Sequence, residues 1–154
     1  MLLTVERQRY EMPRMAAIRD LALLFGEKIT TERKGRIAES AVALRLTILG
    51  LRVFRSVADG DAVDFLVINK KGRVVKLQVK WIRKGRYGRP MISLRHAKGE
   101  RRIPVRYEPG TFDFIVGYSL EDDKAYVFSS KEVSGLVSMV TVTDSSEEAW
   151  YKLK

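Results

Sequence analysis

Two acids and a Gln-x-Lys pair are the residues whose types and spacing suit a reactive site. In Lys76-Leu77-Gln78-Val79-Lys80-Trp81 polar and apolar residues alternate. Lys76, Gln78 and Lys80 therefore share one face of a strand, and Val75, Leu77, Val79 and Trp81 the other. Polar groups on an inner strand of a small domain are costly unless they are paired or stand at a site. Asp64 directly follows a polar loop, near the start of the preceding strand, where hairpin pairing brings it close to Gln78. Glu39 lies mid-helix in "RIAESAV", among small and apolar neighbours, and is expected to face inward. Carboxylates, an amide and an ammonium gathered in this way make an electrostatic site. Thiol chemistry is excluded by the absence of cysteine, and a Ser-His-Asp triad or His-based metal cage does not arise from the lone His96. Each residue also has a plainer reading: Glu39 as a surface partner of Arg36, Asp64 as a loop cap, and Lys76-Gln78-Lys80 as the wet face of an edge strand.

The elements that position these residues follow from periodicity. Thr30 or Thr31 can cap a helix over about Lys34–Leu49, with an apolar stripe of Ile37, Ala41, Val42, Leu44, Ile48 and Leu49. Gly50 is a good helix stop. "LRVFRS" alternates as a first strand, and residues 57–62 are a turn-rich loop. Val63–Ile68, the turn "NKKG" and Arg73–Trp81 form a hairpin at the centre of one sheet. "RKGRYGRP" is a basic loop and "MISL" begins a short strand. "RHAKGERRIPVRY" is expected to be a second basic and mobile segment. "FDFIVGYSLEDDKAYVFSS" is a strand pair, with Asp122-Asp123 as its turn and Asp113 structural or at a subunit contact. "KEVSGLVSMVTVT" suggests a short helix and an edge strand. Residues 1–30 suggest a helical extension, 31–143 a mixed α/β domain, and 144–154 a C-terminal tail.

The length of 154 residues suits one domain, and 45% hydrophobic with 31% charged residues suits a packed core. No stretch reaches the ~18 apolar residues of a membrane span, and Glu6 and Glu11 interrupt any leader-like N-terminus. A cytoplasmic protein without membrane association is expected. A single asparagine, no cysteine and many charges lean toward a thermophilic source. The net charge is +10 and the sequence pI about 10.0, the electrostatic footprint of a nucleic-acid binder. The basic residues cluster beyond the Gln-x-Lys strand. Arg83, Lys84, Arg86, Arg89, Arg95, Lys98, Arg101, Arg102 and Arg106 are interleaved with Tyr87, His96 and Tyr107, with only Glu100 opposing them. Such residues can neutralise phosphates and read guanine edges. A solvated loop is the plainer alternative.

A helix acid, a strand-start Asp and a Gln-x-Lys on the next strand resemble the PD-(D/E)XK nuclease superfamily. The nearest likeness is to the group I intron-encoded homing endonuclease branch. It rests on "KGRIAESAVALRLTILGLRVFRS", "VDFLVI", "LQVKW" and "FDFIVGYSLEDDKAYVF", about residues 34–132. Val63 stands where the superfamily name has Pro. Gln78 stands where most members carry an acid, and the intron-endonuclease branch carries Gln there. The resemblance implies a restriction-endonuclease-like mixed sheet flanked by helices. It also implies Mg²⁺, or Mn²⁺, held by Asp64, Gln78, the Val79 carbonyl and Glu39. Glu39, Asp64, Gln78 and Lys80 are the implied catalytic set, with Lys80 on the water or phosphate. Lys76, Arg83, Lys84, Arg86, Arg89, Arg95, Arg101 and Arg102 are the expected DNA contacts. A duplex needs two cuts, so a homodimer or homotetramer is expected. A Holliday junction resolvase is the alternative, against which Gln78 counts; a DNA-binding protein that kept the fold and lost the metal is a third.

Overall fold

The computed structural model describes residues 28–57, 61–98, 101 and 103–154. Most of the helical extension expected over residues 1–30 lies outside them; Lys28–Thr30, which are described, are not helical.

Helix α1 spans Thr31–Ile48. The Thr30 hydroxyl accepts the Arg33 amide at 3.3 Å and so occupies one of the free donors of the first turn. Glu32 in that turn and Arg45 in the last one match the helix dipole. Gly50 follows with φ of 76°, a conformation that favours glycine and ends the helix. The buried stripe runs through Ala38, Val42 and Leu46, at i, i+4 and i+8. The sequence stripe caught Val42 but missed Leu46, and its Leu44 and Ile48 are exposed. Apolar residues surround this helix on more than one side, so periodicity alone does not choose the packed face.

Strands β1 (Arg52–Arg55), β2 (Phe65–Ile68), β3 (Val74–Trp81), β8 (Phe114–Ser119) and β9 (Lys124–Ser129) form the main sheet in the order β1-β2-β3-β8-β9. β3 is central. It pairs antiparallel with β2, Phe65 opposite Leu77, and parallel with β8, Leu77 opposite Phe114. The β2–β3 turn is held by Asn69, the single asparagine. Its side-chain oxygen accepts the Lys71 and Arg73 amides, both at 3.0 Å, and its amide nitrogen donates to the Leu153 carbonyl at 3.1 Å. Asp113 clamps the start of the β3–β8 pair, accepting the Lys76 amide at 2.8 Å.

One face of the sheet carries α1. Phe65, Val67, Val75, Leu77, Val79, Phe114, Val116 and Val127 pack there with Ala38, Val42 and Leu46. Residues 144–154, read from sequence as a tail, join this core through buried Ala149 and Leu153. Arg45 ties α1 to the β8–β9 turn and to this segment, reaching Asp123 at 2.8 Å and Glu148 at 3.3 Å. The Asp122-Asp123 turn therefore has a structural role.

The segment between β3 and β8, joined by β10 from beyond β9, builds two smaller sheets. β4 (Arg83–Lys84), β5 (Pro90–Ser93) and β10 (Met139–Thr141) form one, in the order β10-β5-β4. Its Ile92, Leu94 and Val140 cover Ile115 and Phe128 on the second face of the main sheet. β6 (Arg95–Lys98) and β7 (Ile103–Arg106) form the other. The segment expected to be mobile is thus an antiparallel hairpin, because its alternating residues supply a ladder and an aromatic stack. The helix expected after Lys131 does not form: residues 131–135 are turns, and Gly135 has φ of 83°.

Gly117 on β8 sets the approach of the small sheet. A Cβ there would lie 2.4 Å from Ile92 Cδ1 and 3.2 Å from Ile82 Cγ1. We expect Gly117→Val to destabilise the fold by about 1–3 kcal/mol in a denaturant titration, since overpacked interiors must shift; an unchanged midpoint would contradict this packing.

Candidate active site

Main-chain pairing of β2 with β3 stops at Phe65 and Leu77. Beyond it the Asp64 side chain takes the place of a strand partner. Its Oδ2 accepts the Val79 amide at 2.7 Å and the Gln78 side-chain nitrogen at 2.6 Å, while the Asp64 amide donates to the Leu77 carbonyl at 3.2 Å. Gln78 is buried, and its nitrogen also donates to the Val79 carbonyl at 3.2 Å. The Gln78 Oε1 is buried with no hydrogen-bond partner among the described residues. A buried amide oxygen without a donor is expensive, and such a group in a cleft is suited to a cation.

Glu39 reaches the same place from α1. It pairs with Arg55 on β1, and its charge acts on Asp64. Arg36, its i−3 neighbour, pairs instead with Glu32 at 3.2 Å. Nothing in the local spacing announces Arg55; only the β1–β2 register, Arg55 opposite Phe65, brings it beside Asp64. Burial is the largest influence on Asp64 and pushes its carboxyl up to about 6, with Glu39 adding to the rise. The Val79 amide, Lys80 and Arg55 oppose that rise. Burial lowers the Lys80 ammonium from its ordinary value, against the pull of Asp64.

These groups line one cleft of about 810 Å³. Glu39, Asp64, Gln78, Val79 and Lys80 meet there, with Arg83 and Arg95 at its rim. A groove of about 520 Å³ continues past Lys80, Arg83 and Arg95 along β5 and β6. Arg95 stands directly opposite Arg106 across the β6–β7 hairpin. Like charges in such a pair repel, and neither has an ion-pair partner among the described residues. Arg86, Arg89 and Arg101 are exposed and stand away from the cleft lining. Lys84 is paired with Glu121 at 2.9 Å, and the Lys76 ammonium bonds the Gly110 carbonyl rather than entering the cleft. Arg102 lies outside the described residues.

Two aromatic neighbours of the site were legible only as interleaved residues of a basic segment. The Tyr107 ring stacks on His96 at 4.7 Å and meets the edge of Phe112 at 5.2 Å. Lys80 Nζ lies 5.4 Å from the centre of the same ring. Burial and the Asp64 charge raise the Tyr107 phenol above its ordinary value.

Among the described residues no three carboxylate, imidazole or thiolate groups gather as a cation cage. A cation here would rest on Asp64 and Glu39 together with neutral oxygens from Gln78 and Val79, an all-oxygen set that fits a hard divalent ion. A raised carboxyl pKa means that Asp64 favours the folded state when protonated, and that this contribution is lost as pH rises from about 4 to about 6. Asp64→Asn removes the ionisation and should be worth about 1–3 kcal/mol, a rise of several degrees in melting temperature at pH 8 that vanishes near pH 4. Equal melting temperatures at pH 8 would show that Asp64 is not held in a desolvated site.

No curated protein matches the chain. Among solved structures it is similar to a bacterial homing endonuclease, I-Ssp6803I, with a TM-score of 0.69 and 25% identity, over 80% of this chain and 93% of that one. The sequence profile of the PD-(D/E)XK endonuclease family matches residues 29–149. This span holds α1, the whole five-stranded sheet and every residue of the cleft, and the chain belongs to the PD-(D/E)XK endonuclease family.

Proposed function

We propose that the protein is a Mg²⁺-dependent DNA endonuclease that hydrolyses phosphodiester bonds in duplex DNA as a homo-oligomer. The observation that carries this reading is the Asp64-Gln78-Val79-Lys80 cluster, with Glu39 beside it and an amide oxygen left without a donor. Arg83 and Arg95 along the adjoining groove, without an ion-pair partner among the described residues, supply the surface for a polyanion. The likeness to a bacterial homing endonuclease and the intact Gln-x-Lys strand support duplex DNA as the substrate.

Asp64 and Glu39 would hold the cation with the Gln78 amide oxygen and the Val79 carbonyl. When bound, Mg²⁺ supplies a Lewis acid at a phosphoryl oxygen and a water of lowered pKa. The protein's own residues do the rest. The β2–β3 hairpin fixes Asp64 against Val79, so the carboxylate is oriented before any ligand arrives. Arg55 orients Glu39 and offsets its charge. Lys80 lies beside Asp64 in a partly dry setting, where its positive charge acts on a phosphate with little screening. Burial also makes its proton easier to exchange, which suits a group that hydrogen-bonds the attacking water. Arg83 and Arg95 hold flanking phosphates. One cleft cuts one strand, so a second copy of the chain would serve the other strand.

Lys80→Ala should lower cleavage by roughly a hundredfold or more and leave DNA affinity within about threefold, since it removes a charge at the reacting phosphate. Linear duplex, a four-way junction and single-stranded DNA should be assayed in parallel with Mg²⁺ and Mn²⁺. Preferred cutting of the junction would replace this reading with a resolvase, and no cutting of any substrate by the wild type would leave a DNA-binding protein. Protons compete with the cation for Asp64, so apparent metal affinity should be nearly constant above pH 7. It should fall by about tenfold per pH unit once pH drops below about 6. Calorimetric Mn²⁺ titrations at pH 5, 6 and 7.5 measure this, and a pH-independent affinity would remove Asp64 from the ligand set.

A further inference from the structure

We infer that the Tyr107 hydroxyl is a catalytic hydrogen-bond donor to a non-bridging oxygen of the phosphodiester bound in the cleft; this rests on the endonuclease reading above. The hydroxyl is buried and has no hydrogen-bond partner among the described residues. It is one of two such side-chain atoms, and the other is the Gln78 Oε1 of the same cleft. A buried donor left unpaired is costly, so its position is maintained against stability. The ring is not free to swing away. His96 covers one face at 4.7 Å, Phe112 abuts it at 85° between planes, and Lys80 Nζ lies 5.4 Å from its centre. Three elements converge to hold it: β6 through His96, β3 through Lys80, and the segment leading into β8 through Phe112.

The chemistry suits the place. A phenol is neutral at working pH and donates a single hydrogen bond. Asp64 lies within electrostatic range, and a phosphate oxygen would bring the hydroxyl an acceptor that it lacks among the described residues. Charge builds on the non-bridging oxygens as water attacks phosphorus. A fixed donor aimed at one of them gains strength at that moment and needs no reorganisation. Lys80, beside the same ring, shares that charge from another side.

Tyr107→Phe keeps the ring and its stack and removes only the hydroxyl. The test compares wild type, Tyr107→Phe and Lys80→Ala in three measurements: single-turnover cleavage of duplex DNA with Mg²⁺, DNA affinity by anisotropy with Ca²⁺ in place of Mg²⁺, and thermal melting. Tyr107→Phe should cut roughly a hundredfold more slowly, bind DNA within about threefold of wild type, and melt at the same or a higher temperature. A Tyr107→Phe variant that cuts within about threefold of wild type, while Lys80→Ala is inactive, overturns the Tyr107 role alone and leaves the endonuclease reading standing. Slower cutting with a lowered melting temperature or weakened DNA binding makes the hydroxyl structural and also overturns it. A wild type that cuts no substrate ends both readings together.

Discussion

The Asp64 carboxylate closes the open end of the β2–β3 hairpin, and the site is built around that closure. Where β2 runs out, Val79 has no main-chain acceptor on that side, and Asp64 Oδ2 supplies one at 2.7 Å. The same oxygen draws in the Gln78 amide at 2.6 Å. A ladder that ends on a side chain rather than a backbone carbonyl gathers a charge, an amide and a main-chain carbonyl at one spot. Burial then raises the Asp64 carboxyl to about 6, and the fold carries that burden because the Val79 amide, Lys80 and Arg55 offset it. The arrangement is less stable than an apolar one would be, as is common where proteins keep polar groups for a task.

The two faces of the main sheet divide the labour. Toward α1 the side chains of β3 are Val75, Leu77 and Val79, all buried in one apolar cluster. On the other face are Lys76, Gln78 and Lys80; the small sheet covers Ile115 and Phe128 on the β8–β9 half of that face, and the Tyr107 ring lies beside Lys80. Gly117 lets that cover approach closely, because Ile92 and Ile82 fill the space a Cβ there would need. Arg45, Asp123, Glu148 and the Tyr118 hydroxyl form a separate network at the far end of α1, where Tyr118 donates to Asp123 at 2.6 Å. This second group of charges is satisfied within itself, which distinguishes it from the cleft, where two polar atoms are not.

Much of this was legible in the sequence because it is local. Alternation in "KLQVKW" gives the face of Gln78 and Lys80, and α1 is bounded by the Thr30 capping hydroxyl and the backbone preference of Gly50. The hairpin turn at Asn69 places Asp64 across from Gln78 once the register is known. What was not legible depends on long-range packing. Leu46 and not Leu44 turns inward because of where the sheet lies, and Arg55 finds Glu39 only through β1–β2 pairing. The basic stretch from Arg95 to Tyr107 offers little hydrophobic signal, yet it pairs as a hairpin and supplies the His96–Tyr107 stack. Residues 144–154 look polar in sequence, but Ala149 and Leu153 are enough to bring them into the core.

The parallel pairing of β3 with β8 has a consequence for how the molecule forms and how it changes. These neighbours are separated in sequence by β4 to β7, so the centre of the sheet cannot zip up from a local turn. It must wait for a large loop to close, which makes this step a natural bottleneck in folding. The entropy of closing a loop grows only slowly with its length. Lengthening or recomposing the excursion at the β4–β5 and β6–β7 connections should therefore disturb the sheet little. The chain can revise the rim of its groove over evolutionary time while the carboxylate at the hairpin's end stays where it is.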